Sequence, residues 1–391
     1  MAGSSVSEPI ATPEAQRLAT DTAVRFATTF PTDPRATAVL TDASDRLMQQ
    51  GDIDGAARIA RQVLAGVSGT GMGAAPASGP ASSTGATDDQ RRVALTVLGQ
   101  AAFEKRDYAA AESSFGQAIA AAAAAAALAP VSTSAPASAQ ATRQRDLTER
   151  LAASIYRQGE SARSAGNATA AIGHFDRVLA TAPLSTVAAA AQFDSAAVRI
   201  EQKDWDGAAR TLEDFRARHP QHPLQTELPA RLALVQMERG QWSAAAAEFE
   251  RLADAPSEGA IRASGGDREA VARSALYQAA DLHERAGDRR PLVRTLDRVV
   301  RQHPQPVAPA VEARWRLVQL LRSDSSLLSA TSTPAVTPAV APAPSPRGAR
   351  RPTAAMAARA PAPSSTLAAT RVNALLRDIV EADASAGAAR T

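Results

Sequence analysis

The sequence has no cysteine, and only 4% of its 391 residues are aromatic. The absence of cysteine excludes disulfide frameworks, thiolate nucleophiles and cysteine-ligated metal centres. Because strands favour aromatic and β-branched residues, the low aromatic content and the abundance of alanine argue against a β-sandwich and favour closely packed helices. A length of 391 residues indicates two or three compact domains or one elongated array.

An excess of charge of one sign is also missing, since 43 basic residues face 40 acidic ones and the net charge is +3. This balance does not demand a nucleic-acid partner. The longest apolar run, residues 118–129, is shorter than the roughly 20 residues that span a bilayer. The first ten residues lack the basic and apolar regions of a signal peptide.

The chain does contain an internal repeat. Six segments combine a helical pattern, a short turn that is mostly glycine followed by polar residues, and a second helical pattern. The turns begin at Gly51, Arg106, Gly166, Lys203, Gly240 and Gly287. In three copies a proline follows the start of the turn by 17 residues, and the turns at 166, 203 and 240 are 37 residues apart. Such a spacing is typical of helix–turn–helix repeat arrays.

The repeat resembles the tetratricopeptide repeat. The resemblance is carried in one copy by Leu95, Leu98, Gly99, Ala102, Tyr108, Ala111, Phe115 and Ala118, and in another by Ile155, Gly159, Ala162, Gly166, Ala171, Phe175, Val178 and Pro183. Arg106 and Lys203 depart from it at the glycine position. The resemblance implies an all-α solenoid of about six antiparallel helix pairs, in which each pair buries its apolar face by stacking on its neighbours.

The predicted organisation alternates helical segments with low-complexity insertions rich in Pro, Ala, Ser and Thr, which bury too little apolar surface to order themselves. We expect a disordered start (1–12), an N-terminal helix plus first repeat (13–65), a flexible insertion (66–88), a second repeat (89–129), a further insertion (130–142), the main array (143–322), a disordered linker (323–365), a C-terminal amphipathic helix (366–383) and a tail (384–391). The C-terminal helix is predicted to pair with a helix over 311–321.

No motif in the sequence indicates chemistry. The histidine pair His219 and His222 precedes prolines at a predicted helix C-terminus, where a cation suits the helix dipole. We therefore expect no catalytic residues, no metal site, no cofactor and no enzyme activity. The arginine stripe Arg290, Arg294 and Arg298 is interpreted as a solvated helix face, with an acidic partner or an anionic lipid surface as the alternative.

In proteins with this repeat the first helices line a groove that receives an extended or helical peptide. Placing the first helices by their turns puts these candidate residues on or near the groove: Phe103, Tyr156, Phe193, Met237 and Tyr277 as apolar anchors, and Glu160, Asp281 and Glu284 as carboxylates. Aromatic anchors among carboxylates suit an apolar segment with basic residues. Core packing is the alternative for each residue, because the helical phase is uncertain by one position.

The expected function is a non-enzymatic scaffold for protein partners, with nucleic acid an unlikely ligand. Residues 195–304 resemble bacterial envelope-associated repeat proteins, which implies a role in envelope assembly or energy coupling and a periplasmic or outer-membrane-facing location if the N-terminus is truncated. A complete chain would instead be cytoplasmic. The alternatives are a cytoplasmic regulatory repeat protein and a substrate-recruiting fragment of a larger enzyme.

Overall fold

The computed structural model describes residues 13–30, 33–66, 86–128, 137–331 and 364–388. These residues form sixteen α-helices and two short 3₁₀ helices, and no β-strand occurs among them. The predicted all-α fold class is confirmed. The chain divides into an N-terminal unit, residues 1–203, and a C-terminal unit, residues 204–391.

The N-terminal unit contains eight helices in its described residues. They are α1 (Pro13–Thr29), α2 (Ala36–Gln49), α3 (Ile53–Ala65), α4 (Asp88–Glu104), α5 (Tyr108–Leu128), α6 (Ala137–Ser164), α7 (Ala168–Thr181) and α8 (Ala188–Glu201). Each helix packs on the next one along the chain, and α2 also packs on α4. The complete pairs are α2–α3, α4–α5 and α6–α7, and in each pair the first helix precedes the turn of the repeat.

The C-terminal unit contains the other eight α-helices. They are α9 (Trp205–Arg218), α10 (Leu228–Glu238), α11 (Trp242–Asp254), α12 (Glu258–Ala263), α13 (Arg268–Ala286), α14 (Arg289–Gln302), α15 (Val307–Ser323) and α16 (Ser364–Ala388), with 3₁₀ helices at Pro223–Glu227 and Ser325–Ala330. Its complete pairs are α10–α11, α13–α14 and α15–α16, which all pack internally. Each unit therefore holds three complete pairs among its described residues, and the helices on either side of the predicted turn at Lys203, α8 and α9, are assigned to different units.

Two of the repeat turns adopt a left-handed backbone at a residue other than glycine. Gly166 has a left-handed backbone with φ of +75°, and Arg106 and Lys203 adopt the same conformation with φ of 62° and 59°. Side chains that carry Cβ rarely take these angles. The following residue caps the second helix: the Asp204 carboxylate accepts a hydrogen bond from the Gly207 backbone N–H at 3.0 Å.

In the N-terminal unit, two glycines set how closely paired helices approach. A Cβ on Gly99 of α4 would lie 2.6 Å from the ring of Phe115 on α5, and a Cβ on Gly159 of α6 would lie 2.5 Å from the ring of Phe175 on α7. Both rings are almost fully buried. The absence of a side chain at these glycines on the first helices thus leaves the space that the aromatic rings of the second helices fill.

The structure adds detail to the predicted boundaries. Helix α6 begins at Ala137, inside the range 130–142 assigned to an insertion. The alanines and glutamine of this stretch are good helix formers, so a low-complexity composition does not prevent helix formation there. The long interval between the turns at Gly240 and Gly287 is occupied by α12, which was not predicted.

The C-terminal pairing is as expected, because α16 packs on α15. The segments 1–12, 67–85, 129–136 and 332–363 lie outside the described residues. The expected disordered start, most of the first insertion and most of the linker fall on them.

Candidate peptide-binding grooves

A groove of about 750 Å³ opens in the N-terminal unit along the first helices of three successive pairs. Its lining comes from α2, α4 and α6, with one ring from α5: Asp45, Met48, Gln49, Thr96, Val97, Gln100, Phe103, Phe115, Asp146, Glu149, Arg150 and Ala153. The lining by first helices is what the repeat resemblance implies. We call this cavity the N-terminal groove.

The floor of the N-terminal groove is apolar. Val97 and Phe115 are buried there, and Met48 and Phe103 are half-buried, so that parts of both side chains face the opening. The Phe103 ring meets the Tyr108 ring edge-on at 5.2 Å between centroids, which fixes its position. An apolar floor of this kind offers anchor contacts to an incoming aliphatic or aromatic side chain.

The charged rim of this groove is partly engaged already. Glu149 accepts hydrogen bonds from the Ser185 hydroxyl at 2.9 Å and from the Thr186 backbone N–H at 3.1 Å. Arg150 donates to the Gln100 side-chain carbonyl at 2.6 Å. Glu149 and Arg150 thus bind neighbouring elements, and their opposite charges offset each other. The net negative charge of the groove lining therefore comes from Asp45 and Asp146.

Two carboxylates of the rim, those of Asp45 and Asp146, form no ion pair in the described part of the chain. Asp45 accepts a hydrogen bond only from the neutral Gln49 amide, at 2.9 Å. Asp146 is exposed and makes no hydrogen bond or ion pair there. An exposed carboxylate without a counter-charge attracts a basic group over a distance of about 8 Å at physiological ionic strength.

A second cavity, of about 540 Å³, lies in the C-terminal unit between α10, α11 and α13. We call it the C-terminal groove; its lining is Met237, Phe249, Gln278, Asp281, Leu282, Glu284 and Arg285. Both of its carboxylates pair with Arg316 of α15, at 2.9 Å for Asp281 and 2.5 Å for Glu284. Its negative charge is thus already matched within the chain.

The candidate residues divide between these surfaces and the packed interior. Phe103 lines the N-terminal groove, and Met237, Asp281 and Glu284 line the C-terminal groove. Tyr156, Glu160, Phe193 and Tyr277 line neither cavity. Phe193 is only 5% exposed and belongs to the interior.

Tyr156 packs its ring on Phe175 at 5.5 Å and donates a hydrogen bond to Asp194 at 2.7 Å. Burial, followed by this bond, raises the pKa of Tyr156. Burial also raises the pKa of Tyr277, whose hydroxyl has no hydrogen-bond partner in the described structure. Glu160 accepts a hydrogen bond from Arg157 at 2.7 Å on the surface of α6.

Sequence reasoning missed Met48 and Asp45, although the repeat carries a signal for both. Met48, Phe103 and Met237 each stand three residues before the start of a turn, so they occupy one repeat position. Asp45 and Asp281 each stand six residues before a turn and share another. A comparison of the residues at the same distance from each turn, without a preference for aromatic residues, would have identified both.

The described residues contain no cluster of three or more histidine, aspartate or glutamate side chains arranged for a metal ion. Within the same residues, no helix is long and apolar enough to cross a membrane. The histidine pair packs on an aromatic ring, with ring centroids 5.1 Å from His219 to Phe215 and 5.7 Å from His222 to Phe215.

The tetratricopeptide-repeat family model matches residues 190–222 and 274–306, which hold the helices α8–α9 and most of α13–α14. These two segments of the chain are tetratricopeptide repeats. The comparison with curated protein sequences found no match to this chain. Tetratricopeptide repeats imply a scaffold for protein–protein interaction.

Several solved structures are similar to this chain. A tetratricopeptide repeat protein from Parabacteroides merdae is 12% identical, with 79% of this chain and 93% of that chain covered and a TM-score of 0.28. For pilF of Pseudomonas aeruginosa the identity is 16%, the coverage 62% and 90%, and the TM-score 0.25. For the C-terminal part of a repeat-containing protein from Cytophaga hutchinsonii the values are 8%, 75% and 100%, and 0.29.

Proposed function

We propose that this protein is a non-enzymatic scaffold whose N-terminal groove binds a protein segment that combines apolar with basic residues. The observation that carries the proposal is the groove itself: an open cavity of about 750 Å³, floored by apolar side chains and rimmed by two carboxylates that form no ion pair among the described residues. An extended segment would present alternate side chains to such a groove, and a helix would present residues spaced by three or four.

The apolar floor and the charged rim contribute differently to binding, because they differ in their exposure to water. Met48 and Phe103 are half-buried, so contact with an aliphatic side chain removes apolar surface from water at roughly 25 cal/mol per Å². Asp45 and Asp146 are exposed, and their attraction for arginine or lysine is screened by salt. We therefore expect the floor to supply most of the affinity and the rim to supply selectivity and association rate.

The C-terminal groove is a secondary contact in this proposal. Met237 and Phe249 offer apolar surface there, but Arg316 already pairs with Asp281 and Glu284. A basic ligand would have to compete with Arg316. We expect this groove to favour neutral apolar segments.

A displayed library of random peptides selected on the full chain tests the proposal. We expect the enriched peptides to combine apolar residues with arginine or lysine, and to bind the double variant Asp45→Asn, Asp146→Asn about 10-fold more weakly. The matched control is Asp42→Asn, which changes an exposed aspartate on the same helix outside the groove. Enriched peptides without basic residues, or equal losses in control and double variant, would contradict the proposal.

We also propose the bacterial cell envelope as the setting of this scaffold, supported by the resemblance of residues 195–304 to envelope-associated repeat proteins. Fractionation of cells that make the protein from its native locus, followed by immunodetection, tests the setting. We expect the protein, or the partner bound to it, in the envelope fraction. Recovery of both in the cytosolic fraction alone would contradict it.

A further inference from the structure

The last helix among the described residues, α16, is bound through one face. Ala368, Val372 and Leu375 are buried, and Val372 and Leu375 belong to the same apolar cluster as Leu317 and Leu321 of α15. Helix α16 also packs on the 3₁₀ helix Ser325–Ala330. Residues spaced by four and then three along a helix share one face, which is the pattern of a helix lying in a groove.

An ion pair fixes the register of α16. The Arg371 guanidinium lies 2.8 Å from Oδ1 of Asp297 on α14, and the Asp297 side chain is only 6% exposed. A buried carboxylate needs a hydrogen-bonding partner, and a charge-assisted contact of this kind is directional. The docking surface therefore selects for arginine next to the apolar face, and not only for a hydrophobic helix.

The receiving surface does not depend on α16 for its own charges. Oδ2 of Asp297 pairs with Arg301 of the same helix at 2.6 Å, so that the carboxylate keeps one partner when Arg371 is absent. Arg301 also donates to the Thr331 backbone carbonyl at 3.0 Å, which ties the end of the 3₁₀ helix to α14. Leu327 of that 3₁₀ helix is buried in the same cluster.

Residues 332–363, which are rich in proline, alanine, serine and threonine, separate α16 in sequence from the end of the 3₁₀ helix. Helix α16 is therefore a segment remote in the chain from the surface on which it packs. Covalent attachment gives a tethered ligand an effective local concentration of the order of millimolar. A free helix at lower concentration must therefore bind the site more tightly than the attached helix does in order to occupy it.

We propose that the surface formed by α14, α15 and the 3₁₀ helix Ser325–Ala330, here called the helix-docking site, is a binding site for amphipathic helices. Its ligand carries an arginine immediately before a valine and four residues before a leucine, on the pattern Ala-x-x-Arg-Val-x-x-Leu. Helix α16 is the built-in occupant, and it competes with helices of other proteins that present the same pattern.

The test uses the full chain and, as its probe, a fluorescent synthetic peptide of residues 364–388. The variant Leu375→Asp places a charge at a buried position and expels the attached helix. We expect the peptide to bind this variant at least 10-fold more tightly than it binds the wild type. A peptide carrying Arg371→Ala should bind the same variant at least 10-fold more weakly than the wild-type peptide.

The matched control is Val380→Asp, which puts the same charge on the same helix at a position that is 67% exposed. This variant should stay closed and bind the peptide as poorly as the wild type. Equal peptide affinity for the wild type, Leu375→Asp and Val380→Asp would overturn the proposal, as would a peptide that does not need its arginine.

A second experiment covers the case in which Leu375→Asp fails to fold. A protease site is inserted within residues 332–363 of the otherwise wild-type chain, and the chain is cut after folding. We expect the C-terminal fragment to stay bound during gel filtration and to exchange with excess labelled peptide. A fragment that the peptide does not replace would overturn the proposal.

Discussion

Two helix pairs, α6–α7 in the N-terminal unit and α13–α14 in the C-terminal unit, fill the same gap between paired helices with different side chains. In the N-terminal unit, Gly159 stands seven residues before a turn and Phe175 nine residues after it. In the C-terminal unit, the corresponding residues around the turn at Gly287 are Ala280 and Leu296, and both are fully buried. A larger residue on one helix is matched by a smaller one on the other, so the summed volume is conserved while the individual residues are not.

The units also differ in the polar groups that they bury. In the N-terminal unit, the buried hydroxyl of Ser154 donates to a carbonyl of its own helix at 2.8 Å. In the C-terminal unit, the buried Glu248 carboxylate of α11 accepts two hydrogen bonds from Arg216 of α9, at 2.9 and 2.6 Å. Charge pairs between helices occur in both units, as between Arg199 of α8 and Asp176 of α7 at 2.7 Å, but the carboxylate of Asp176 is half-exposed whereas that of Glu248 is buried.

The largest expected effect in this comparison is the loss of a buried ring. Phe175→Ala should lower the free energy of unfolding by about 3–5 kcal/mol, because it leaves a cavity next to a glycine that has no side chain to fill it. Leu296→Ala, at the corresponding position, should cost about 2–5 kcal/mol. Chemical denaturation measures both. A loss below about 1 kcal/mol for Phe175→Ala would contradict the role given to the ring.

The next effect is the addition of one methyl group. Gly159→Ala should lower the free energy of unfolding by about 1–3 kcal/mol, since the new Cβ would lie 2.5 Å from the Phe175 ring. The matched control is Gly173→Ala on α7, where nothing lies within 4 Å of the new Cβ. There we expect a gain of about 0.5–1 kcal/mol from helix propensity. Thermal unfolding that shifts in the same direction for both variants would contradict the account.

A smaller net effect is expected when both positions change together. The double variant Gly159→Ala, Phe175→Leu gives the N-terminal pair the residues of the C-terminal pair. We expect its stability to return to within about 1 kcal/mol of the wild type, because contacting residues couple by about 0.5–3 kcal/mol. A double variant as unstable as the sum of its single changes would show that volume exchange does not explain the difference.

The smallest effect concerns pH and the C-terminal unit. Burial acts to raise the pKa of Glu250, but hydrogen bonds from His283 and Thr295 outweigh it and leave the pKa below its ordinary value. The stabilisation is therefore present above the ordinary pKa of glutamate and is lost as the pH falls through the lowered pKa. Glu250→Gln should weaken the dependence of unfolding on pH in this acidic range. An unchanged profile would contradict it.

The repeat outline was sufficient to predict the helix pairs, because turns and small residues are local signals. The position of Gly159 opposite Phe175 follows from the repeat, and the structure places the two in contact. The side of a helix is harder to predict: Phe193 was expected near the groove and lies in the interior, since an error of one residue rotates a side chain by about 100°.

Contacts between distant segments left no local signal. Arg371 and Asp297 are 74 residues apart in sequence, and neither belongs to a motif that announces the other. The insertion of α12 had the same character, because its composition does not differ from that of the surrounding helices. The rim carboxylate Asp146 was missed because it lines one cavity with α2 and α4 only when three helix pairs stack.

The central claim is that partners bind along the first helices of the N-terminal unit. Site-specific photo-crosslinking tests it most directly, with a photoreactive amino acid in place of Gln49, which lines the N-terminal groove, or in place of Ser113, which is exposed on the second helix α5. Peptides selected on the full chain provide the probe. The account predicts an adduct at position 49 and none at position 113, and equal labelling at both positions or labelling at 113 alone would contradict it.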